Sequence, residues 1–188
     1  MTLCTGRTLA RTIVADWLVR LQPYLADGEL RISTRSLADA VHDLQHGLAD
    51  FSILYHHPSL VVPLDGRQFE HVALAPDRLL PVSRTGASGA PMYFLEAGCA
   101  PVPYIAYDRT LALGRLVEDL LAHHPLAAHL KRLVECDSPD ANYEYVRKGL
   151  GVSWLPWSVV HADVKSGLLA PAGGKGLEVK FDVRMFRP

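Results

Sequence analysis

Apolar residues recur at two different periods along this chain, and the alternation between those periods predicts an α/β protein. Leu9, Ile13, Val14, Trp17, Leu18 and Leu21 return at helical spacing until Gln22-Pro23 stops the helix. Ahead of them Leu3 to Thr5 is a stub of strand, and behind them Glu29 to Thr34 alternates as a half-buried strand does. Ser36 with Asp39 reads as a capping box, opening a helix whose stripe is Leu37, Val41 and Leu44 and which ends before Gly47. Strands are expected at Phe51 to Tyr55, Phe69 to Leu74 and Leu79 to Ser83. Strands and helices alternating through short connections predict a mainly parallel sheet with helices on its faces.

A second unit of the same grammar is expected after Arg84 to Gly89, the most loop-like stretch and the expected hinge. A short helix from Pro91, a strand at Pro103 to Tyr107, a helix from Thr110 to Ala122 and a strand at Leu130 to Glu135 follow. Ser138 can accept from the first-turn amides of the next helix, Pro139 has φ preset for the first helical position, and Asp140 complements the dipole. Gly149 and Gly151 are expected to carry the backbone out of that helix through positive φ, into a strand at Val152 to Leu155 closed by Pro156. Further strands are expected at Leu168 to Pro171 and Leu177 to Phe186.

The run from Ser138 to Pro156, followed by an amphipathic segment ending at Lys165-Ser166-Gly167-Leu168, resembles the effector-binding domain of LysR-type transcriptional regulators. Leu37 to Leu54 is similar to that family's second helix and, through Gly47-x-x-Asp50, to the approach to its third strand. With both runs in order, the resemblance covers essentially the whole chain. Tyr107 to Leu116 and Gly151 to Pro156 look most like the subgroup that responds to hypochlorite. The fold implied is α/β, two Rossmann-like lobes with a cleft between them, similar to type 2 periplasmic binding proteins. Residues 1–83 plus 168–188 would form lobe I and 84–167 lobe II. The resemblance further implies a homodimer or tetramer built through the effector domains, with the helices from Leu9 and Leu113 packing across subunits and Trp17 and Leu121 as contact candidates. DNA would be reached only through a winged helix-turn-helix absent from this chain. The chain enters directly on a strand and ends just after one, and is read as a fragment.

Composition narrows the function. With 188 residues, 49% of them apolar, the chain can bury one sizeable core or two small ones. Nineteen basic against 20 acidic residues leave it near neutral, without the basic surface of a free-standing nucleic-acid binder. Cys4, Cys99 and Cys136 are odd in number and widely spaced, which suits reduced, buried thiols in a cytosol rather than disulfides or a zinc site. No signal peptide or spanning run follows Met1, so a cytoplasmic location without a membrane partner is expected. No Gly-x-Ser-x-Gly, His-Glu-x-x-His or phosphate loop is present, and neither catalysis, a cofactor nor a metal is expected. Sulfur sensing finds little support: beyond Met1 only Met92 and Met185 are methionines, and Leu21 and Leu113 stand on helix faces where an oxidisable sulfur could sit.

Candidate chemistry gathers at strand ends. In open α/β sheets, ligands sit beyond the carboxyl ends of strands, where helix N-termini offer free amides and positive partial charge. Thr5-Gly6-Arg7-Thr8, Ser33-Thr34-Arg35-Ser36 and Asp108-Arg109-Thr110 each combine hydroxyls with an arginine there, and Cys136-Asp137-Ser138 adds a hydroxyl. The candidate effector-binding residues are Arg7, Thr8, Thr34, Arg35, His56, Tyr107, Arg109 and Ser138. Convergent amides, hydroxyls and guanidinium groups suit a small anion, most simply a carboxylate. The same hydroxyls also suit helix caps, and the arginines can pair with acids such as Asp108. The family resemblance places ligand contacts at Thr8 and Ser138. His56 and His57 are adjacent on an extended segment and point to opposite sides, so they do not readily share a metal. Two alternatives stay open: a solute-binding protein of this architecture, which needs an export signal, and a small-acid enzyme built on the fold.

Overall fold

Parallel pairing organises the first half of the chain. Strand β1 (Thr2–Thr5) lies between β2 (Arg31–Thr34) and β3 (Phe51–His56) and runs parallel to both, with Thr5 level with Thr34 on one side and Ile53 on the other. The computed structural model describes residues 1–25, 28–98 and 100–188; Cys99, read above as a buried thiol, lies outside them. The helical stripe from Leu9 to Leu21 is two helices, α1 (Arg7–Arg11) and α2 (Ile13–Leu21), because Thr12 leaves helical geometry at φ −108° and ψ −97°. The Thr12 hydroxyl donates to the Thr8 carbonyl at 2.8 Å and its amide reaches the same carbonyl at 3.1 Å. Such back-bonding by Thr bends or interrupts helices.

Helix α3 (Leu37–Gln45) begins where the sequence places its cap: Ser36 Oγ accepts from the Asp39 amide at 3.2 Å and donates to the Asp39 carboxylate at 2.7 Å. Its buried face, Ala40, Val41 and Leu44, packs with Cys4, Ala49, Leu54 and Phe186, and Leu37, Val62, Leu64 and Phe69 cover that cluster. Strand β9 (Val179–Arg187) supplies Phe186 and runs antiparallel to β3, from Ser52 opposite Phe186 to His56 opposite Asp182.

The sequence places two strands at 69–74 and 79–83, whereas one strand, β4 (Glu70–Arg84), runs through both. Its second half pairs antiparallel with β7 (Ser153–Pro156) at Leu79 to Val82 and with β8 (Leu169–Pro171) at Val82 to Arg84. Proline at Pro81 removes a donor but not the acceptor, and the Pro81 carbonyl takes the Ala172 amide at 2.8 Å. Two compact units result, Met1–Pro76 with Phe181–Pro188, and Asp77–Lys180. The sequence reading set its boundaries at 83/84 and 167/168. The second half of β4 and β8 fall instead in the second unit, because they find their ladder partners there.

Within the second unit β5 (Val102–Tyr107) and β6 (Leu130–Cys136) are parallel, and α4 (Ala112–Ala122), α5 (Pro139–Arg147) and α6 (Trp157–Lys165) follow β5, β6 and β7. Trp154 is fully buried, its indole donates to the Leu177 carbonyl at 2.7 Å, and Tyr104 meets it edge-on. The helix expected from Pro91 does not form. Met92 donates its amide to the Arg84 carbonyl at 2.8 Å and Tyr93 to Ser83 Oγ at 3.2 Å, so this segment is an extended return pinned to β4. The turn after α5 also departs from expectation at one glycine. Gly149 has φ +81°, but Gly151 is required by space: a Cβ there would meet the Pro103 carbonyl oxygen at 2.4 Å. No helix among the described residues is long and apolar enough to cross a membrane.

Candidate functional site

In the first unit the carboxyl ends of β1 and β2 form one corner beside the middle of β3. The Arg35 amide donates to the Thr5 carbonyl at 2.8 Å and the buried Thr5 hydroxyl to the Ile53 carbonyl at 2.9 Å, which fixes the ends of β1 and β2 level with Ile53 of β3. The chain then turns through Gly6 into α1, where Leu9 buries and draws Thr8 in with it. Thr8 is 3% exposed, and its hydroxyl has no hydrogen-bond partner among the described residues. A buried hydroxyl left without a partner costs about 1–3 kcal/mol, so this position is unfavourable unless something polar reaches it. Arg7, next to it, is exposed.

The rest of this corner divides. Thr34 is exposed beside Thr5. Arg35 is committed elsewhere: its guanidinium bonds Asp43 on α3 at 3.1 Å, and that carboxylate also takes the Cys4 thiol at 3.6 Å. The neighbouring Asp43 raises the Arg35 pKa, chiefly through that hydrogen bond. Burial, followed by the bond to Asp43, pushes the Cys4 thiol up. His56 is half-buried three residues beyond the Thr5 level, about 10 Å further along β3. Desolvation and the charge of Arg184 lower its pKa, which favours a neutral ring. The structure therefore sets Arg7 and Thr8 at the start of α1 and Thr34 level with Thr5 at the end of β2, turns Arg35 toward α3, and sets His56 apart.

A second corner lies in the other unit, where β5 and β6 end level at Tyr107 and Cys136 and the Asp108 amide donates to the Cys136 carbonyl at 2.9 Å. Asp108 Oδ1 accepts from the Thr110 amide at 2.7 Å and the Thr110 hydroxyl at 2.6 Å, and these bonds hold its carboxyl below the usual range. The resulting turn presents Arg109 to solvent, 3.5 Å from Glu118. Ser138 is half-buried and caps α5 by accepting the Ala141 amide at 3.3 Å. Tyr107 is 1% exposed, so its ring belongs to the core rather than to the corner's surface.

Two residues of this corner were missed by sequence reasoning. Gly114 sits in α4 against the turn: a Cβ there would lie 2.4 Å from the Asp108 carbonyl oxygen, so only glycine lets α4 approach the Asp108–Thr110 turn this closely. Asn142, fully buried on α5, donates to the Ala106 carbonyl at 3.2 Å and ties the helix to β5 just below the corner. A polar residue on the buried face of α5, one turn before Val146, breaks the apolar periodicity that would reveal it, and a helical glycine resembles a tolerated defect. Each corner thus offers a guanidinium and strand-end hydroxyls beside helix starts, a set that holds anions by charge-assisted hydrogen bonds.

Comparison with known proteins bears on these corners. The profile of the family described as LysR substrate binding domain matches residues 1–188. The HTH-type transcriptional regulator YjiE of Escherichia coli (strain K12) is 24% identical over 149 residues, which cover 79% of this chain and 47% of that protein. The chain thus spans about half the length of this curated relative. Among solved structures, the regulatory domain of HypT from Salmonella typhimurium in its apo form superposes with a TM-score of 0.85 at 21% identity, covering 100% of this chain and 85% of that one. DarR from Vibrio fischeri, solved with DNA, gives a TM-score of 0.81 at 20% identity over 100% of this chain and 61% of that one.

Proposed function

Because this chain belongs to the LysR substrate-binding domain family, we propose that it is the sensor half of a cytoplasmic LysR-type transcriptional regulator and that its effector is a small anion. Each unit offers its own strand-end corner for such an anion, at Arg7 and Thr8 in the first unit and at Arg109 and the start of α5 in the second. DNA contact is assigned to a helix-turn-helix outside these residues. The name of the relative YjiE, of which the chain spans 47%, supports that assignment. A ligand can change the output of such a regulator only through different affinity for its two states.

The observation that carries this reading is Thr8, a buried hydroxyl without a hydrogen-bond partner among the described residues, next to the exposed Arg7. A carboxylate arriving at Arg7 would satisfy it. The experiment is thermal-shift screening of the purified domain against small carboxylates, since a ligand that binds only the folded state raises its melting temperature by mass action. Thr8→Val should leave the unliganded domain as stable as the parent or more so, while weakening the carboxylate hit. Arg7→Ala or Arg109→Ala should weaken it by about 1.5–3 kcal/mol, as loss of a charged hydrogen bond does. If all three variants answer the hit as the parent does, the anion site is elsewhere.

The effector domains are proposed to pair as a homodimer or tetramer. Support comes from α2, whose Val19 is 73% exposed and whose Leu18 and Val19 line a shallow apolar groove with Leu25, Leu30 and Ile32. Trp17 and Leu121 are half-buried, whereas Leu9 and Leu113 are fully committed to their own cores. The contact candidates are therefore Trp17 and Val19 on α2 and Leu121 on α4, rather than Leu9 of α1 or Leu113.

A further inference from the structure

The last turn of α3 carries chemistry unrelated to the strand-end corners. His42 and His46 stand four residues apart on its exposed face, with ring centroids 4.0 Å apart and planes inclined by 31°. His46 Nδ1 lies 2.9 Å from the His42 carbonyl oxygen. A carbonyl oxygen only accepts, so Nδ1 is the donor of this contact, and Nε2 is the nitrogen that a neutral ring offers to a ligand. A backbone carbonyl holding one ring nitrogen is how proteins orient an imidazole that binds metal through the other. Two histidines at i and i+4 on one helix face are also the spacing by which helices present paired imidazoles to a single ion.

Neighbouring carboxylates are already engaged. Asp43 Oδ2 takes Arg35 and Cys4, and Asp39 Oδ2 takes the Ser36 hydroxyl. The two imidazole nitrogens therefore lead the donor set, which favours late first-row transition ions over Mg²⁺ or Ca²⁺, whose preference is oxygen. We propose that His42 and His46 form a two-histidine chelate for a divalent ion of the zinc, nickel and copper class, with water completing the coordination. Such an ion bridges His42 inside the helix to His46 at its C-terminal cap, where φ −99° and ψ 9° have already left the helix. It therefore clamps the end of α3. Neither the sequence reading, which expected no metal, nor the anion reading of the corners includes this site.

The test titrates the chelator-stripped chain with Zn²⁺, Ni²⁺, Cu²⁺ and Mg²⁺, read by calorimetry and by paramagnetic broadening of amide signals with Cu²⁺. The expected result is one saturable ion per chain, tightest for Cu²⁺, with no response to Mg²⁺ and broadening centred on residues 42–47. His42→Gln and His46→Gln should each weaken binding at least about tenfold, the lower end of the loss seen when a metal site's supports are removed. His71→Gln is the control: His71 faces His56 at 6.3 Å and meets Phe186 edge-on, on the buried side of α3 and away from the exposed face that carries His42 and His46, so this variant should bind as the parent does. Absence of saturable binding, binding unchanged in both α3 variants, or broadening centred on His56 and His71 would each overturn the proposal.

Discussion

Gly114→Ala sets two well-characterised effects against each other. Helix propensity alone favours Ala over Gly in a helix interior by about 1 kcal/mol, and position 114 is inside α4. Against this, the new Cβ would stand 2.4 Å from the Asp108 carbonyl oxygen and 3.1 Å from the Tyr107 Cβ. Ordinary carbon–oxygen contacts begin near ~3.3 Å, so the helix and the turn must separate by about 1 Å. Both contacts are backbone or the first atom of a buried side chain, so no flexible tip can yield. Overpacking of this kind costs about 1–3 kcal/mol, occasionally more. The steric cost should match or exceed the propensity gain, leaving the variant about 0–2 kcal/mol less stable, with the Asp108–Thr110 turn displaced. Guanidinium unfolding at neutral pH reads this directly, as an equal or lower midpoint at unchanged slope. A midpoint that rises, as propensity alone demands, would refute the close approach of α4 to the turn.

Two further outcomes follow from single contacts. Ser138→Ala removes the acceptor of the Ala141 amide and should destabilise the domain by about 1 kcal/mol, whereas Ser138→Gly should cost only a few tenths; equal midpoints for Ala and the parent would mean the cap is idle. Burial and Asp43 hold the Cys4 thiol protonated where an unfolded thiol has ionised, so stability is complete below about pH 8.5 and declines as pH rises beyond it. Cys4→Ala should flatten that decline in urea midpoints collected across the alkaline range, and parallel curves for parent and variant would remove the role assigned to Cys4.

Much of the fold was legible because local and global signals agree. Ser36 and Ser138 cap the helices that the sequence assigns to them, and the Gly149 turn delivers β7 as expected. Misreadings arose where a tertiary partner overrode a local cue. Pro76 falls in the gap left between the strands expected at 69–74 and 79–83, yet β4 continues through it because its second half has β7 and β8 to pair with. Pro91 looks like a helix start, yet the Met92 amide is taken by the Arg84 carbonyl. The candidate site divided in the same way. Strand ends and hydroxyls could be placed from the alternation pattern, but Arg35 turns to Asp43 eight residues later, a choice between two exposed destinations that no periodicity encodes. The His42 and His46 pair lies within a motif that the sequence reading had already assigned to a helix, and its spacing went unused for that reason.

The account turns on where an anion sits, and amide chemical-shift mapping of the domain locates it most directly. Titration of the best carboxylate from the thermal screen should shift the amides of residues 6–9, 35–37, 109–111 and 139–141 in proportion to occupancy, with the Thr8→Val variant losing the first group. Saturable shifts that leave these four helix starts unmoved, or that gather on the outer faces of α2 and α4, would contradict it.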